Sequence, residues 1–133
     1  MRDFQNKTYW IVGASEGLGR ALALQLANIG AQVIISARNE ERLIELAEEI
    51  GLNSSVLPMD VSDDSSVRKA FSKLPKTLDG FVFLSGVYWH INASSWDIEK
   101  AEEMVDVNLV GALRCLGDLV PLFTSLGFGD MVL

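Results

Sequence analysis

The feature that most constrains this 133-residue chain is a glycine-rich loop between an apolar segment and a long apolar helical segment. This glycine loop, residues 12–19, has the sequence Val-Gly-Ala-Ser-Glu-Gly-Leu-Gly, and its glycines are spaced one residue wider than in the commoner Gly-x-Gly-x-x-Gly signature. Glycines permit a tight turn there, and the N–H groups of the first helical turn can face an anion. The pattern predicts a phosphate-binding turn, although a purely steric role for the glycines stays open.

Strand and helix patterns alternate along the chain, which predicts an α/β domain built on a mostly parallel sheet. We expect a three-layer, doubly wound, Rossmann-like sheet in strand order 3-2-1-4-5. In the first helix the predicted inner face is Leu18, Ala21, Leu22, Leu26 and Ile29, and Ser62 is the predicted N-cap of the third helix. The predicted strands are 7–12, 32–37, 55–59, 80–84 and 131–133, and the predicted helices are 17–28, 39–50, 62–74 and 97–119.

Composition excludes several classes of protein. A hydrophobic content of 49% argues against disorder, and a net charge of −7 argues against nucleic acid as a partner. The single cysteine, Cys115, has an apolar helical setting typical of a small buried hydrophobe, and the single histidine, His90, has no neighbouring metal ligand. We find neither an apolar run of membrane-spanning length nor a signal peptide at residues 1–6, so we expect a cytoplasmic protein without a membrane partner.

These segments together resemble the N-terminal half of the short-chain dehydrogenase/reductase family. The family loop Thr-Gly-x-x-x-Gly-x-Gly is similar to residues 12–19, with Val12 in place of threonine. The family's Asn-Asn-Ala-Gly falls on 83–86, where only Gly86 matches and Phe83 and Leu84 replace polar residues of the cofactor crevice. Residues 108–111, Asn-Leu-Val-Gly, resemble the family's asparagine motif. The resemblance implies a single dinucleotide-binding domain over residues 1–133.

The resemblance also implies a set of cofactor-binding residues. They are Gly13, Ser15, Glu16, Gly17, Leu18, Gly19, Arg38, Asp60, Val61, Leu84, Ser85 and Gly86. Arg38 follows the second strand, where NAD-binding folds carry an acid for the ribose 2′-hydroxyl, and a guanidinium suits a 2′-phosphate instead. We therefore expect NADP(H) in preference to NAD(H). The alternative is a solvated Arg38 loosely paired with Glu40 or Glu41, and Glu16 weighs against NADP(H) because an acid is unfavourable beside a phosphate.

Two further residues have alternative interpretations. Asp60 either accepts a hydrogen bond from an adenine amino group or serves as a turn residue before Ser62. Asn108 shares a predicted apolar helix side with Val105 and Ala112, so its amide must find partners. In the resembled family this asparagine distorts the helix and holds a water in a proton relay, which makes it the candidate catalytic residue. The alternative is a core amide that bonds to backbone.

The acid/base chemistry of the resembled family needs a serine and a Tyr-x-x-x-Lys pair. Gly13 lies four residues after Tyr9, and Asn92 lies four residues after Tyr88, so neither tyrosine has the lysine. The chain ends where the fifth strand begins. We expect the cofactor-binding half of an NAD(P)-dependent oxidoreductase, truncated after strand 5 and inactive alone. The alternative is a non-catalytic nucleotide-binding or subunit-interaction protein.

The fourth helix is apolar over more than one face. A monomer rarely exposes such a surface, and an unpaired edge at strand 5 would be a template for another chain. We therefore expect a homo-oligomer through helix 4, the strand 5 edge, or both. Met104, Leu109, Leu113 and Leu116 add to the apolar stripe through Val105 and Ala112.

Overall fold

The computed structural model describes residues 3–133. Met1 and Arg2 lie outside that range, and they are part of segment 1–6, which we do not expect to be a signal peptide. Its strands are β1 (Thr8–Val12), β2 (Gln32–Ser36), β3 (Ser54–Val56), β4 (Gly80–Phe83) and β5 (Asp130–Val132). Its helices are α1 (Gly17–Asn28), α2 (Glu40–Ile50), α3 (Asp64–Phe71), α4 (Ile98–Val105) and α5 (Gly111–Leu126), with a π-helical segment, Asp106–Val110, between the last two. The strands form one parallel sheet in the order β3-β2-β1-β4-β5, so the predicted fold class and strand order are confirmed.

The central strand β1 sets the register of the sheet. Val12, its last residue, is paired with Ser36 of β2 and with Phe83 of β4. All three strands therefore end at one edge of the sheet. The segments that follow them, including the glycine loop, meet at that edge.

Hydrophobic cores cover both faces of the sheet, which explains why β1 is apolar at successive positions. Trp10 and Phe81 lie in the core shared with α3 and α5, and their ring centroids are 5.2 Å apart. Ile11 lies in the core shared with α1 and α2. The indole Nε1–H of Trp10 donates to the Ser36 hydroxyl at 2.8 Å, so this buried polar pair is satisfied.

The inner face of α1 differs from the prediction. Leu18 is 71% exposed and Ile29 is 55% exposed, whereas the buried residues are Gly19, Ala23, Leu26 and Ala27. Three of these are small residues spaced four apart, and they let the helix lie close to the sheet. Seven of its twelve residues are apolar and they lie on more than one side of the helix, so hydrophobicity alone did not identify the side that packs.

Two predicted helix boundaries, the start of the third helix and the end of the fourth, differ from those in the structure. The N-cap of α3 is Asp63 rather than Ser62, because the Asp63 carboxylate accepts from the backbone N–H of Ser65 at 2.9 Å. Hydrogen bonds from the Ser65 hydroxyl and backbone hold the pKa of Asp63 below its ordinary value. The predicted fourth helix continues beyond Pro121 to Leu126 and is divided by the π-helical segment.

The sequence analysis finds no apolar run of membrane-spanning length, but the structure forms one continuous helical stretch, Ile98–Leu126, that passes a test of length and composition for a membrane span. By length and composition alone it is long and apolar enough, with a mean hydropathy of 1.5 in its most apolar window. In the structure Cys115, Leu119 and Phe123 of this stretch pack into the core beside β1 and β4. The core helix of a globular domain meets the same criteria.

Burial raises the pKa of the Cys115 thiol to about 12, which supports its interpretation as a buried hydrophobe.

Glycines 111 and 117 of α5 provide a matched test of how this helix packs. A Cβ at Gly111 would lie 2.9 Å from Cγ2 of Val61, whereas nothing lies within 4 Å of a Cβ at Gly117. Both alanine substitutions gain the same helix propensity, so their difference isolates the packing. We expect Gly111→Ala to unfold with a free energy about 1–3 kcal/mol lower than Gly117→Ala, as overpacked sites do. Denaturant unfolding measures both, and equal stabilities would contradict this contact.

Candidate functional site

A crevice of about 800 Å³ lies at the edge where β1, β2 and β4 end. This volume lies within the usual range of small-molecule sites. The edge is also the point where the strand order reverses between β1 and β4, which is where open α/β sheets bind their ligands. The crevice is lined by Gly13, Ser15, Glu16, Gly17, Leu18, Gly19, Ala37, Arg38, Asn39, Arg42, Leu84, Ser85 and Gly86.

The glycine loop is held by backbone on both sides. The N–H groups of Gly13 and Ala14 both donate to the carbonyl of Ser36, at 2.8 and 3.1 Å. On the other side, a Cβ at Gly13 would lie 2.5 Å from the carbonyl carbon of Leu84 and from the nitrogen of Ser85. Gly13 also has φ +89°, which favours glycine. No other residue fits this position without moving the β4 end.

The second glycine of the loop has a different environment. Gly17 has φ +55°, and nothing lies within 4 Å of where its Cβ would be, so its side-chain position is open space. Glu16 is the N-cap of α1, but its side chain makes no capping hydrogen bond. The capping side chain therefore does not accept hydrogen bonds from the N–H groups of the first turn. N–H groups of this kind at a helix N-terminus can bind an anion.

Three charged residues line the crevice. Arg38 is exposed, and across residues 3–133 it forms no ion pair, so the suggested pairing with Glu40 or Glu41 is not observed. Arg42 forms an ion pair with Glu16. Arg42 is not among the cofactor-binding residues predicted from the sequence, although it lines the crevice. Arg42 lies four residues after Arg38, across the start of a helix, and this spacing was the signal that both could face the same crevice.

Asp60 and Val61 do not line this crevice. The Asp60 carboxylate accepts from the backbone N–H and the hydroxyl of Ser62, at 2.9 and 2.7 Å, so Asp60 serves as a turn residue. Val61 is buried, and its carbonyl accepts from Arg114 at 2.9 Å. Hydrogen bonding to Asp106 raises the pKa of Arg114. A role for Asp60 and Val61 beside an adenine ring stays a prediction.

Two of the three positions with unexpected apolar residues are part of the core. Val12 and Phe83 are 1% and 6% exposed and belong to the core on the α3–α5 side. Neither residue lines the crevice, which corrects the expected crevice position of Phe83. Only Leu84 lines the crevice, together with Ser85 and Gly86.

Asn108 lies in the π-helical segment and bonds to the loop after β4. Its Oδ1 accepts from the N–H of Val87 at 2.7 Å, and its Nδ2 donates to the carbonyl of Val87 at 2.9 Å. The backbone-bonding alternative is thus observed, but Asn108 and Val105 are exposed rather than on a buried side. The π-helical turn changes which residues face inward, and such turns are frequent at functional sites. A catalytic role for Asn108 stays a prediction.

Comparison with known proteins gives consistent matches. A family model described as short chain dehydrogenase matches residues 7–133. An uncharacterized oxidoreductase of Staphylococcus haemolyticus is 29% identical over 136 residues, which cover 99% of this chain and 59% of that protein. An NADPH-dependent pterin aldehyde reductase of Arabidopsis thaliana is 33% identical over 122 residues, which cover 87% of this chain and 50% of that protein.

Solved structures of dehydrogenases also match nearly the whole of this chain. The closed form of serine dehydrogenase complexed with NADP⁺ matches with a TM-score of 0.89 at 25% identity, over 93% of this chain and 52% of that chain. A short-chain type dehydrogenase/reductase from Mycobacterium ulcerans matches with a TM-score of 0.90 at 26% identity, over 98% of this chain and 51% of that chain. The chain thus spans between about half and three fifths of the length of these relatives.

The two hydrogen bonds of Asn108 generate a prediction about stability. We expect Asn108→Ala to lower the free energy of unfolding by about 1–2 kcal/mol, because each net hydrogen bond contributes about 1 kcal/mol. Asn92→Ala is the control, since the Asn92 side chain lies in the same connection and makes no hydrogen bond among the described residues. Thermal unfolding of both variants measures the difference. An Asn108→Ala variant as stable as Asn92→Ala would show that the amide does not fix this loop.

Proposed function

Since this chain belongs to the short-chain dehydrogenase family, we propose that its crevice binds a nicotinamide dinucleotide, with NADP(H) preferred over NAD(H). The observation that supports the preference is Arg38, a guanidinium in the crevice that has no ion-pair partner within residues 3–133. A 2′-phosphate offers such a group a charge-assisted, bidentate partner. Two relatives also bear names that mention this cofactor, the NADPH-dependent reductase and the dehydrogenase complexed with NADP⁺.

The residues of the crevice fit this group. We assign the pyrophosphate to the start of α1, where the open position at Gly17 leaves room for an anion beside the backbone N–H groups. Ser15 supplies a hydroxyl at the same place. We assign the 2′-phosphate to Arg38, and we retain Asp60 and Val61 as candidates for the adenine end.

The dinucleotide, when bound, supplies the hydride chemistry of an oxidoreductase. The residues of this chain bind and orient it, and we propose that they do not complete the acid/base machinery. Tyr9 is buried in the core on the α1–α2 side, and Tyr88 is 81% exposed. Neither has a lysine four residues later. We therefore propose that this chain is an oxidoreductase's cofactor-binding half, cytoplasmic in location and inactive by itself.

A second candidate function, subunit interaction, is favoured by an apolar outer face on the long helix. Val105, Leu109 and Leu113 are each between 55% and 56% exposed. Val105 also lines an apolar groove of about 430 Å³ that includes Ile98 and Val110. Exposed apolar patches of this kind mark association sites, and a second copy would meet the same face in a two-fold dimer. Ala112, predicted for the same surface, is instead buried in the core.

The cofactor preference is tested by replacing Arg38. We expect Arg38→Ala to weaken NADPH binding by about 10- to 100-fold, which corresponds to the loss of one charge-assisted hydrogen bond, and to leave NADH binding unchanged. Arg68→Ala is the control, because Arg68 is an exposed arginine of α3 paired with Asp64 outside the crevice. Isothermal titration calorimetry measures both nucleotides. An equal loss for NADH would contradict the assignment of the 2′-phosphate.

The assembly is tested by placing a charge on the outer face of the helix. We expect the chain to scatter light as a dimer or larger assembly at micromolar concentration, and Leu113→Arg to dissociate it, because a buried unpaired charge is strongly unfavourable. Leu52→Arg is the control, since Leu52 is fully exposed after α2. A wild-type chain with the mass of a monomer would contradict this proposal.

A further inference from the structure

We infer that Glu16 and Arg42 form a displaceable ion pair in the crevice, and that a 2′-phosphate takes Arg42 away from Glu16. Arg42 is then a second specificity-determining cation beside Arg38, and Glu16 is the acid that competes with the phosphate for it. This inference rests on the proposed dinucleotide function, because it concerns the same crevice. It also accounts for an acid at a place where the glycine loop is expected to meet negative charge.

The pair bridges the two helices that flank the crevice. Glu16 precedes α1, and its carboxylate extends across the crevice instead of capping its own helix. Arg42 lies in the first turn of α2, and an Nη1–H of its guanidinium donates to Oε2 of Glu16. The backbone N–H of Arg42 is held by the side chain of Asn39 at 3.1 Å, which fixes the turn that carries the guanidinium.

The charges of the crevice match a phosphate monoester only if this pair opens. Glu16, Arg38 and Arg42 are the charged residues of its lining. While the pair is closed, Arg38 supplies a single net positive charge. A phosphate monoester carries a charge of about −1.5 to −2 near neutral pH, so it is better matched by two guanidinium groups than by one.

Exposure of the pair favours the exchange. The Arg42 and Glu16 side chains are 51% and 74% exposed, and an ion pair so open to water is weak. A guanidinium bound to a phosphate gains two parallel hydrogen bonds to an oxyanion of higher charge. The phosphate therefore displaces the Glu16 carboxylate from Arg42, whereas a ribose 2′-hydroxyl has no charge with which to do so.

The pair can open without loosening the helices. A second ion pair, between Arg20 of α1 and Glu49 of α2, joins the same two helices outside the crevice. The buried Leu43 and Leu46 of α2 also pack in the core that α1 shares. The packing of α1 on α2 therefore does not depend on Glu16 and Arg42, and Glu49→Gln is a matched control that removes an acid from the same helix pair.

A double-mutant cycle with two small probes tests the inference. The probes are 2′,5′-ADP and 5′-AMP, which differ only in the 2′-phosphate, and calorimetry measures their binding to the wild-type chain, Glu16→Gln, Arg42→Gln, the double variant and Glu49→Gln. We expect Glu16→Gln to tighten 2′,5′-ADP by up to about fivefold, the value of an exposed ion pair, and to leave 5′-AMP unchanged. We expect Arg42→Gln to weaken 2′,5′-ADP by about tenfold or more. The gain from Glu16→Gln should disappear when Arg42 is absent, and Glu49→Gln should change nothing.

Three results would overturn the inference. Equal tightening of both probes by Glu16→Gln would mean that Glu16 simply repels phosphate. Weaker 5′-AMP binding in Glu16→Gln would make Glu16 an acceptor for the ribose hydroxyl. If Glu16→Gln binds both probes as the wild-type chain does, while Arg38→Ala still removes the NADPH preference, the ion-pair exchange is overturned and the proposed function stands. A wild-type chain that binds neither NADPH nor NADH overturns both.

Discussion

Backbone-to-backbone contact at two glycines is the constraint on which the rest of the site depends. A Cβ at Gly13 would lie 2.5 Å from the carbonyl carbon of Leu84, and a Cβ at Gly19 would lie 2.0 Å from the carbonyl oxygen of Gly13. Because neither side chain exists, α1 starts directly against the ends of β1 and β4. The first turn of the helix therefore opens onto the crevice, and the small residues Ala23 and Ala27 continue the close approach along the sheet.

The electrostatics of the crevice oppose those of the whole chain. The net charge of −7 disfavours anionic ligands in general, so any anion must be held by local groups. The start of α1, Arg38 and Arg42 are the local groups that the structure brings together. Glu16 pairs with one of the two guanidinium groups, and in our inference it competes with a 2′-phosphate for that group instead of excluding the phosphate. A charge count from sequence misses this, because it does not show which residues are paired.

The long helix serves both the core and the outer surface. Cys115, Leu119 and Phe123 pack against the sheet, while Leu109 and Leu113 face outward. Leu113 and the three core residues all lie in α5, so one helix contributes to both surfaces, and the π-helical segment Asp106–Val110 precedes it. Asn108, within that segment, bonds to the loop after β4 and so connects the helix to the wall of the crevice.

The sequence by itself determined the order of strands and helices, because hydrophobic runs depend on neighbours along the chain. The strand order of the sheet followed from the rules for such alternating patterns, and most of the crevice lining followed from the resemblance to a known family. Tertiary structure decided the features that depend on distant neighbours. The sheet buried Val12 and Phe83 in the core, a turn occupied the carboxylate of Asp60, and the packing of α1 on α2 placed Arg42 beside Glu16. Arg42 and Glu16 are 26 residues apart in sequence, so no local pattern could reveal that they form an ion pair.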